Sequence, residues 1–325
     1  MTAYLVRRIG YGLLVLVGVN LFTFWLFFKV NTPDDIARIQ LGGKRITADA
    51  ITKWKAERGY DKALLFNSNA QGMAKFTDTI YFEKSAAMFA LKFGQSDDGR
   101  DILYEIRTRA GPSLAIAIPT FIVGLGLNVS FALMLALFRG TRFDLASQVV
   151  LIVLMSISAL FFIIGGQYVF SKMLRLFPIS GYDGVLDGAR FLALPVAIAV
   201  FAGISGSTRF YRTVFIEEVG KDYVRTARAK GLSELTVMFK HVLKNGMIPI
   251  LTGVVVVIPM LFMGSLLTES FFGIPGLGSY TIEAIQAQDF GVVRSITFIG
   301  TVLYVLALIA TDISYTLVDP RVRIE

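Results

Sequence analysis

The sequence predicts an all-α membrane protein. It should form a bundle of about six transmembrane helices, with a small extracytoplasmic insertion after the first and a basic cytoplasmic loop between the fourth and fifth. Three observations carry this. Of 325 residues, 54% are hydrophobic and only 17% charged, against about 25% charged in soluble domains. Mean hydropathy is +0.63. The apolar residues also fall in long runs, and about 20 such residues in a helix cross a hydrocarbon core about 30 Å thick.

The spans follow in order as Ile9–Val30, Ser113–Phe138, Leu145–Phe170, Phe191–Ser207, Ile248–Leu267 and Ile296–Leu317. The first follows Arg7 and Arg8 but exceeds a signal peptide's apolar core and lacks a small-residue cleavage site. It reads as a retained helix with its N-terminus in the cytoplasm. Arg139 and Arg142, then Arg209 to Lys244, then Arg321 and Arg323 alternate with cation-poor loops, and Ser270–Val293 has no Lys or Arg. The positive-inside rule places both termini in the cytoplasm.

The division expected is 1–30 as the first transmembrane helix, 31–111 as an extracytoplasmic subdomain and 112–325 as a five-helix core, with a cytoplasmic loop at 209–247. Within the subdomain, Ala48–Arg58 and Ser85–Leu91 have helical composition. Asp34, Gly42, Gly43, Asn67, Asn69, Gly72 and Gly94 read as turns. Pro119, Pro195 and Pro259 sit in or near apolar runs. Each removes a backbone donor, which fits either a pathway or an ordinary packing kink.

The loop between the fourth and fifth spans reads as two short helices at a sharp angle. Asp222 caps the first, Tyr223–Lys230, and Gly231 stops it as the residue after the C-cap. Ser233 caps the second, with Leu235, Phe239 and Val242 near one face. Ala227 is small enough for a neighbouring helix or another protein to approach closely. A docking elbow for an acidic partner and a basic hairpin on anionic lipid both fit this pattern.

The run from Asp222 to Thr252 resembles the cytoplasmic signature of binding-protein-dependent ABC importer permeases, in its oligopeptide/dipeptide form, Arg225-Thr226-Ala227-Arg228-Ala229-Lys230-Gly231. Thr268–Gly278, Asp312–Arg323, Leu91–Ser96, Ile106–Leu114 and Phe177–Tyr182 resemble further segments of that family in the same order. Residues 31–90 match poorly beyond Arg58–Leu65.

The resemblance implies a transmembrane subunit forming half of a translocation pathway for peptides. Its partners would be a second permease, two ATP-binding-cassette ATPases, which would bind ATP and Mg, and a periplasmic or extracellular substrate-binding protein. The setting would be the bacterial inner membrane. It implies no cofactor or metal in this chain, no nucleic-acid partner and no enzyme activity of its own. It makes the first short helix a coupling helix and assigns contact with the ATPase to Asp222, Arg225, Thr226, Ala227, Arg228 and Gly231.

Other residues draw chemical readings. Pro259, Met260, Phe262, Met263 and Glu269 are candidates for a gate or pathway, although apolar residues here also fit core or lipid contact. Glu269 and Asp312, near span ends, read as pathway carboxylates or as members of structural ion pairs. Pro275–Gly278 reads as a turn or a short re-entrant piece. Gly203-Ile204-Ser205-Gly206 matches the GxSG of rhomboid-type proteases, but the sole histidine, His241, lies in the basic loop. Gly43-Lys44 is no phosphate loop, because Arg38 stands where the first glycine belongs. An ion-coupled secondary carrier is the other alternative, and no internal repeat supports it. With no cysteine and one histidine, thiolate and multi-histidine metal centres are excluded. The net charge of +8 fits loops beside a membrane better than nucleic acid.

Overall fold

A computed structural model describes residues 2–42, 46–184 and 188–318. Gly43, Lys44, Arg321 and Arg323 lie outside the described residues, as does the end (319–323) of the segment from Asp312 that resembles the family's ending. Among the described residues all regular structure is helical, apart from an isolated bridge between Gln95 and Asp101. Five helices are long and apolar enough to span a membrane, or six when a bent pair counts as one.

Two compact units divide the chain, Met1–Arg109 with Tyr280–Ile309 and Ala110–Ser279 with Ala310–Ile324. In the first, α1 spans Thr2–Val30. Helix α2, Pro33–Leu41, corrects the reading of Asp34 as a turn. Thr32 accepts from the Asp35 N–H and Asp35 reaches back to the Thr32 N–H, with Pro33 preset in the first turn. Helix α3 is Ala48–Arg58, as expected, closed by Gly59 at φ 68°. Short helices α4, Ala74–Thr77, and α5, Ile80–Lys84, follow, and the expected helix at Ser85–Leu91 is a 3-10 turn over Ala86–Ala90. Phe24 and Phe28 of α1 pack with Ile36, Ile51, Trp54 and Ile80 into a small core.

The same unit holds a carboxylate network. Asp97 accepts from Arg58 (3.1 Å) and Gln40 (2.6 Å), and its N–H donates to Asp289 (2.7 Å). Burial, then the Asp289 charge, push the Asp97 carboxyl up to about 6, with Arg58 opposing. A carboxyl raised in the folded state binds more protons there than when unfolded, so its contribution to stability falls as pH rises through the window from 3.8 to about 6. Hydrogen exchange around Ser96–Asp101 should therefore slow as pH is lowered through that window, after correction for intrinsic exchange. Asp97→Asn should remove this dependence, and an identical profile in the variant would contradict it.

Helix α6, Ile102–Leu137, starts earlier than the expected Ser113 because Asp101 accepts from the Tyr104 N–H at 2.8 Å. In the second unit the expected third span is broken. Helices α7, Arg142–Met155, and Ala159–Met173 meet at 90°. Ser156 bonds back to the Ile152 carbonyl and Ser158 caps the new start. The second piece begins as α8, Ala159–Gly166, and ends as a π-helical stretch, Gln167–Met173.

Helix α9, Ala189–Val219, extends well beyond the expected Ser207. Its Arg212 forms a two-pronged pair with the buried Asp144 of α7 (2.9 and 2.7 Å). Helix α10 is Asp222–Ala229. After it, α11, Glu234–Thr236, a π-helical segment, Val237–Leu243, and α12, Lys244–Met260, run on without a break. The second short helix is thus the beginning of the fifth span, not a separate element. Helices α13, Leu266–Phe272, and α14, Leu277–Gln286, follow. Helix α15, Phe290–Val318, starts before the expected Ile296 because Asp289 accepts from the Val292 N–H at 3.0 Å.

Candidate functional sites: the basic elbow and the Glu269 cradle

The elbow is built by a backbone turn that needs glycine. Gly231 has φ 78°, and its N–H bonds to the Arg228 carbonyl at 2.9 Å. Nothing stands within 4 Å of where a Cβ would be, so the demand is conformational, not steric. Ser233 then caps α11, accepting from the Thr236 N–H. Arg228 clasps Glu234 across the turn with two bonds, 2.8 and 3.1 Å. Its guanidinium is thereby engaged within the chain, which the sequence alone did not reveal.

Asp222 is not the N-cap. That position belongs to Lys221, which makes no side-chain cap bond, while Asp222 is the first helical residue, a place where a negative charge suits the helix dipole. Tyr223 donates to Glu218, and Lys221 bonds the other Glu218 oxygen. Burial, then the Glu218 bond, push the Tyr223 phenol up to about 12.

Ala227 is small for the first of the two reasons expected. With Val224 it faces inward and packs with Ala132, Leu133, Phe215, Met238 and Val242. Its side chain is buried in this core. The opposite face of α10 carries exposed Arg225, Thr226, Ala229 and Lys230. Ala229 and Lys230 belong to this surface although sequence reasoning did not select them; their helical offset from the buried pair is the signal. Gly246 of α12 is a further position missed. A Cβ there would stand 2.7 Å from the Phe215 ring, and Phe215 is fully buried.

The second candidate centres on Glu269. The end of α12 at Pro259–Met260 gives way to a 3-10 turn, Leu261–Met263, and to Gly264 at φ 69°. Glu269 of α13 is fully buried. One of its oxygens accepts from the Ser265 N–H at 3.0 Å and the other from the Ser279 N–H at 3.1 Å. The Ser113 hydroxyl bonds the carboxylate too, and it accepts from the Leu277 N–H at 2.8 Å. No ion pair involving Glu269 is present among the described residues, so the ion-pair reading is replaced by a cradle of backbone amides.

Glycines shape that cradle. A Cβ at Gly264 or Gly276 would fall 2.1 or 2.2 Å from the carboxylate oxygens, and one at Gly278 would fall 2.6 Å from the Ser265 backbone. Pro275–Gly278 is thus the strap holding the start of α14 over Glu269. Beside it lies a cavity of about 310 Å³ lined by Ser113, Thr120, Met260, Thr268 and Glu269, among others. Of the gate candidates, Met260 and Glu269 meet there. Pro259, Phe262 and Met263 are not in its lining, and Phe262 is exposed. Asp312 lies inside α15. Ser205 is buried beside a separate cavity lined also by Gly203 and Gly206, and His241 does not line it.

Residues 128–324 match the family described as binding-protein-dependent transport system inner membrane component, and residues 1–108 match its N-terminal membrane component. Among similar proteins is the "Dipeptide transport system permease protein DppB" of Lactococcus lactis subsp. cremoris, 31% identical over the full length of both chains. The "Inner membrane ABC transporter permease protein YejB" of Escherichia coli O157:H7 is 30% identical over 87% of this chain and 79% of its own. The "Probable peptide ABC transporter permease protein y4tP" of Sinorhizobium fredii is 28% identical over 99% of this chain and all of its own. These matches favour neither an ion-coupled carrier nor an intramembrane protease. A multi-pass α-helical chain with this elbow, matched along nearly all its length, belongs to the binding-protein-dependent transport system inner membrane components, the permease subunits of ABC importers.

Proposed function

We propose that this chain forms half of an inner-membrane translocation pathway for peptides, with both termini in the cytoplasm. The other half would be a second, similar permease. A substrate-binding protein on the outer side would deliver cargo, and two ATPase subunits, holding ATP and Mg, would drive the cycle. The names of two of the relatives specify peptide or dipeptide, which supports the cargo. The division into a first helix at 1–30, an outer segment at 31–111 and a core at 112–325, with the coupling loop at 209–247, belongs to the same proposal.

The observation that carries it is the two-sidedness of α10. Val224 and Ala227 anchor it in the core while Arg225 and Thr226 stay exposed. A helix held this way moves with the body to which it is packed, which is what a lever requires. In this proposal Arg225 and Thr226 meet the ATPase, Asp222 begins the helix, and Ala227, Arg228 and Gly231 hold its angle. Moving a two-state element from mostly one form to mostly the other takes about 5.5 kcal/mol of differential binding, so the joint must not yield. Met260 and Glu269 border the path.

A single cysteine at Thr226, paired with cysteines on the co-expressed ATPase, tests the contact. Crosslinking is expected at Thr226→Cys and not at Phe262→Cys. ATP-driven peptide uptake should require all the subunits. Crosslinking absent at Thr226 in an assembled, active complex would refute the coupling role, and ion-driven uptake by this chain alone would refute the importer.

A further inference from the structure

The first unit contains a polar cavity of about 440 Å³ that none of the proposed roles uses. Lys84, the last residue of α5, and Arg294 of α15 both line it. Arg294 is only 5% exposed. Its guanidinium donates to the Phe290 carbonyl (3.3 Å) and the Ser85 hydroxyl (3.2 Å) and lies 5.8 Å from the Phe28 ring. Lys84 sits 5.3 Å over the Tyr60 ring. Among the described residues neither cation forms an ion pair; their partners are a carbonyl, a hydroxyl and aromatic faces.

The carboxylates around them are already engaged. Asp97 serves Arg58 and Gln40. Asp289 accepts from the N–H groups of Asp97 and Val292. Glu83 bonds Lys62. A desolvated cation without an anionic partner is costly. Burial, then the Arg294 charge, hold the Lys84 ammonium below the usual lysine range. An anion seated against both cations relieves each of these penalties.

The rest of the lining narrows the class of that anion. Glu57, Glu83 and Asp97 share the cavity wall with Arg58 and Lys92, so the lining carries both signs of charge. A zwitterion fits, because its carboxylate meets the cations while its amine meets Glu57, whose nearest cation, Lys53, is 4.0 Å away. The volume suits a small ligand, since ligand pockets start at about 300 Å³. We propose that this cavity binds a short peptide, with its α-carboxylate held by Lys84 and Arg294. The choice of a peptide rests on the cargo reading above; the cationic pair does not.

Trp54 stacks on Tyr60, a lining residue, with ring centroids 5.5 Å apart. The chain has two tryptophans, so Trp25→Phe leaves Trp54 as the sole reporter. The full chain in phosphatidylcholine nanodiscs is titrated with trialanine and with its C-terminal amide while Trp54 fluorescence is followed. Trialanine should give a saturable response. The amide should bind about tenfold more weakly, and so should trialanine to Lys84→Gln, the factor expected from one lost charge-assisted hydrogen bond. Arg294→Gln should weaken binding as well. Because Arg294 is buried and that variant can fail to fold, the half-buried Lys84 is the decisive position.

Equal affinity for acid and amide, no saturable response, or unchanged binding by Lys84→Gln overturns the pocket. Trialanine uptake by the assembled wild-type importer is measured in parallel. Uptake without a Trp54 response overturns the pocket and leaves the cargo reading standing. Lys84-dependent binding without uptake of any peptide supports the pocket and overturns the cargo reading.

Discussion

Glu269→Ala should destabilise the protein by about 3 kcal/mol or more, because it removes the acceptor that several buried donors share. The Ser265 and Ser279 N–H groups and the Ser113 hydroxyl all point at that carboxylate. Glu269→Gln should also be costly, since one amide nitrogen would face a donor instead of an acceptor. Gly276→Ala should be comparably severe, its Cβ arriving 2.2 Å from the carboxylate. The double variant Glu269→Ala/Gly276→Ala should cost less than the two single costs added, because deleting the carboxylate removes its contacts with the new methyl and leaves only the Ser113 Oγ at 2.5 Å. Denaturation in mixed micelles, read with uptake, measures all four. Additive costs would mean that the two residues do not share one site.

Gly246→Val should be the most damaging single change near the elbow, by about 3 kcal/mol, at the upper end of overpacking costs. Two ring atoms of the fully buried Phe215 lie 2.7 Å from the new Cβ, with Glu218 Cγ at 3.7 Å behind them. The ring has no solvent side to move toward. Gly253→Ala, seven residues along the same helix, provides the control. Nothing stands within 4 Å of its Cβ position, so alanine there should be neutral or stabilising by about 0.5–1 kcal/mol through helix propensity. The pair should separate in both folded yield and ATPase crosslinking. Equal behaviour would show that the Phe215 contact does not hold the elbow.

Much was legible without coordinates because local physics decides it. Apolar run length identifies most of the spans, and the Ala48–Arg58 helix was readable from its composition, with ends that the structure shows to be set by Thr47 and Gly59. Gly231 announced its own positive φ, since little else adopts it cheaply. Span ends were less legible. Hydropathy cannot register Asp101 starting α6, or α9 continuing through Arg212, because a polar turn that finds a cap or a buried partner remains helical.

At the sites, the residue set was readable but its roles were not. Ala227 and Arg228 were grouped with Arg225 and Thr226, yet Ala227 faces the core and Arg228 grips Glu234. The gate candidates separated in the same way, Met260 and Glu269 toward one cavity and Phe262 outward.

Composition and span length determined from the sequence alone that this is a multi-pass helical membrane protein, because each is a property of one stretch of chain, and the resemblance of the elbow segment to a known family implied a permease. Only the tertiary structure decided that Glu269 rests in a cradle of amides instead of an ion pair, that the third span bends at 90°, and that Lys84 and Arg294 share a cavity. Those outcomes depend on distances between residues far apart in the chain, and burial makes such distances energetically consequential: a polar group removed from water must find its partner in whatever the fold brings near.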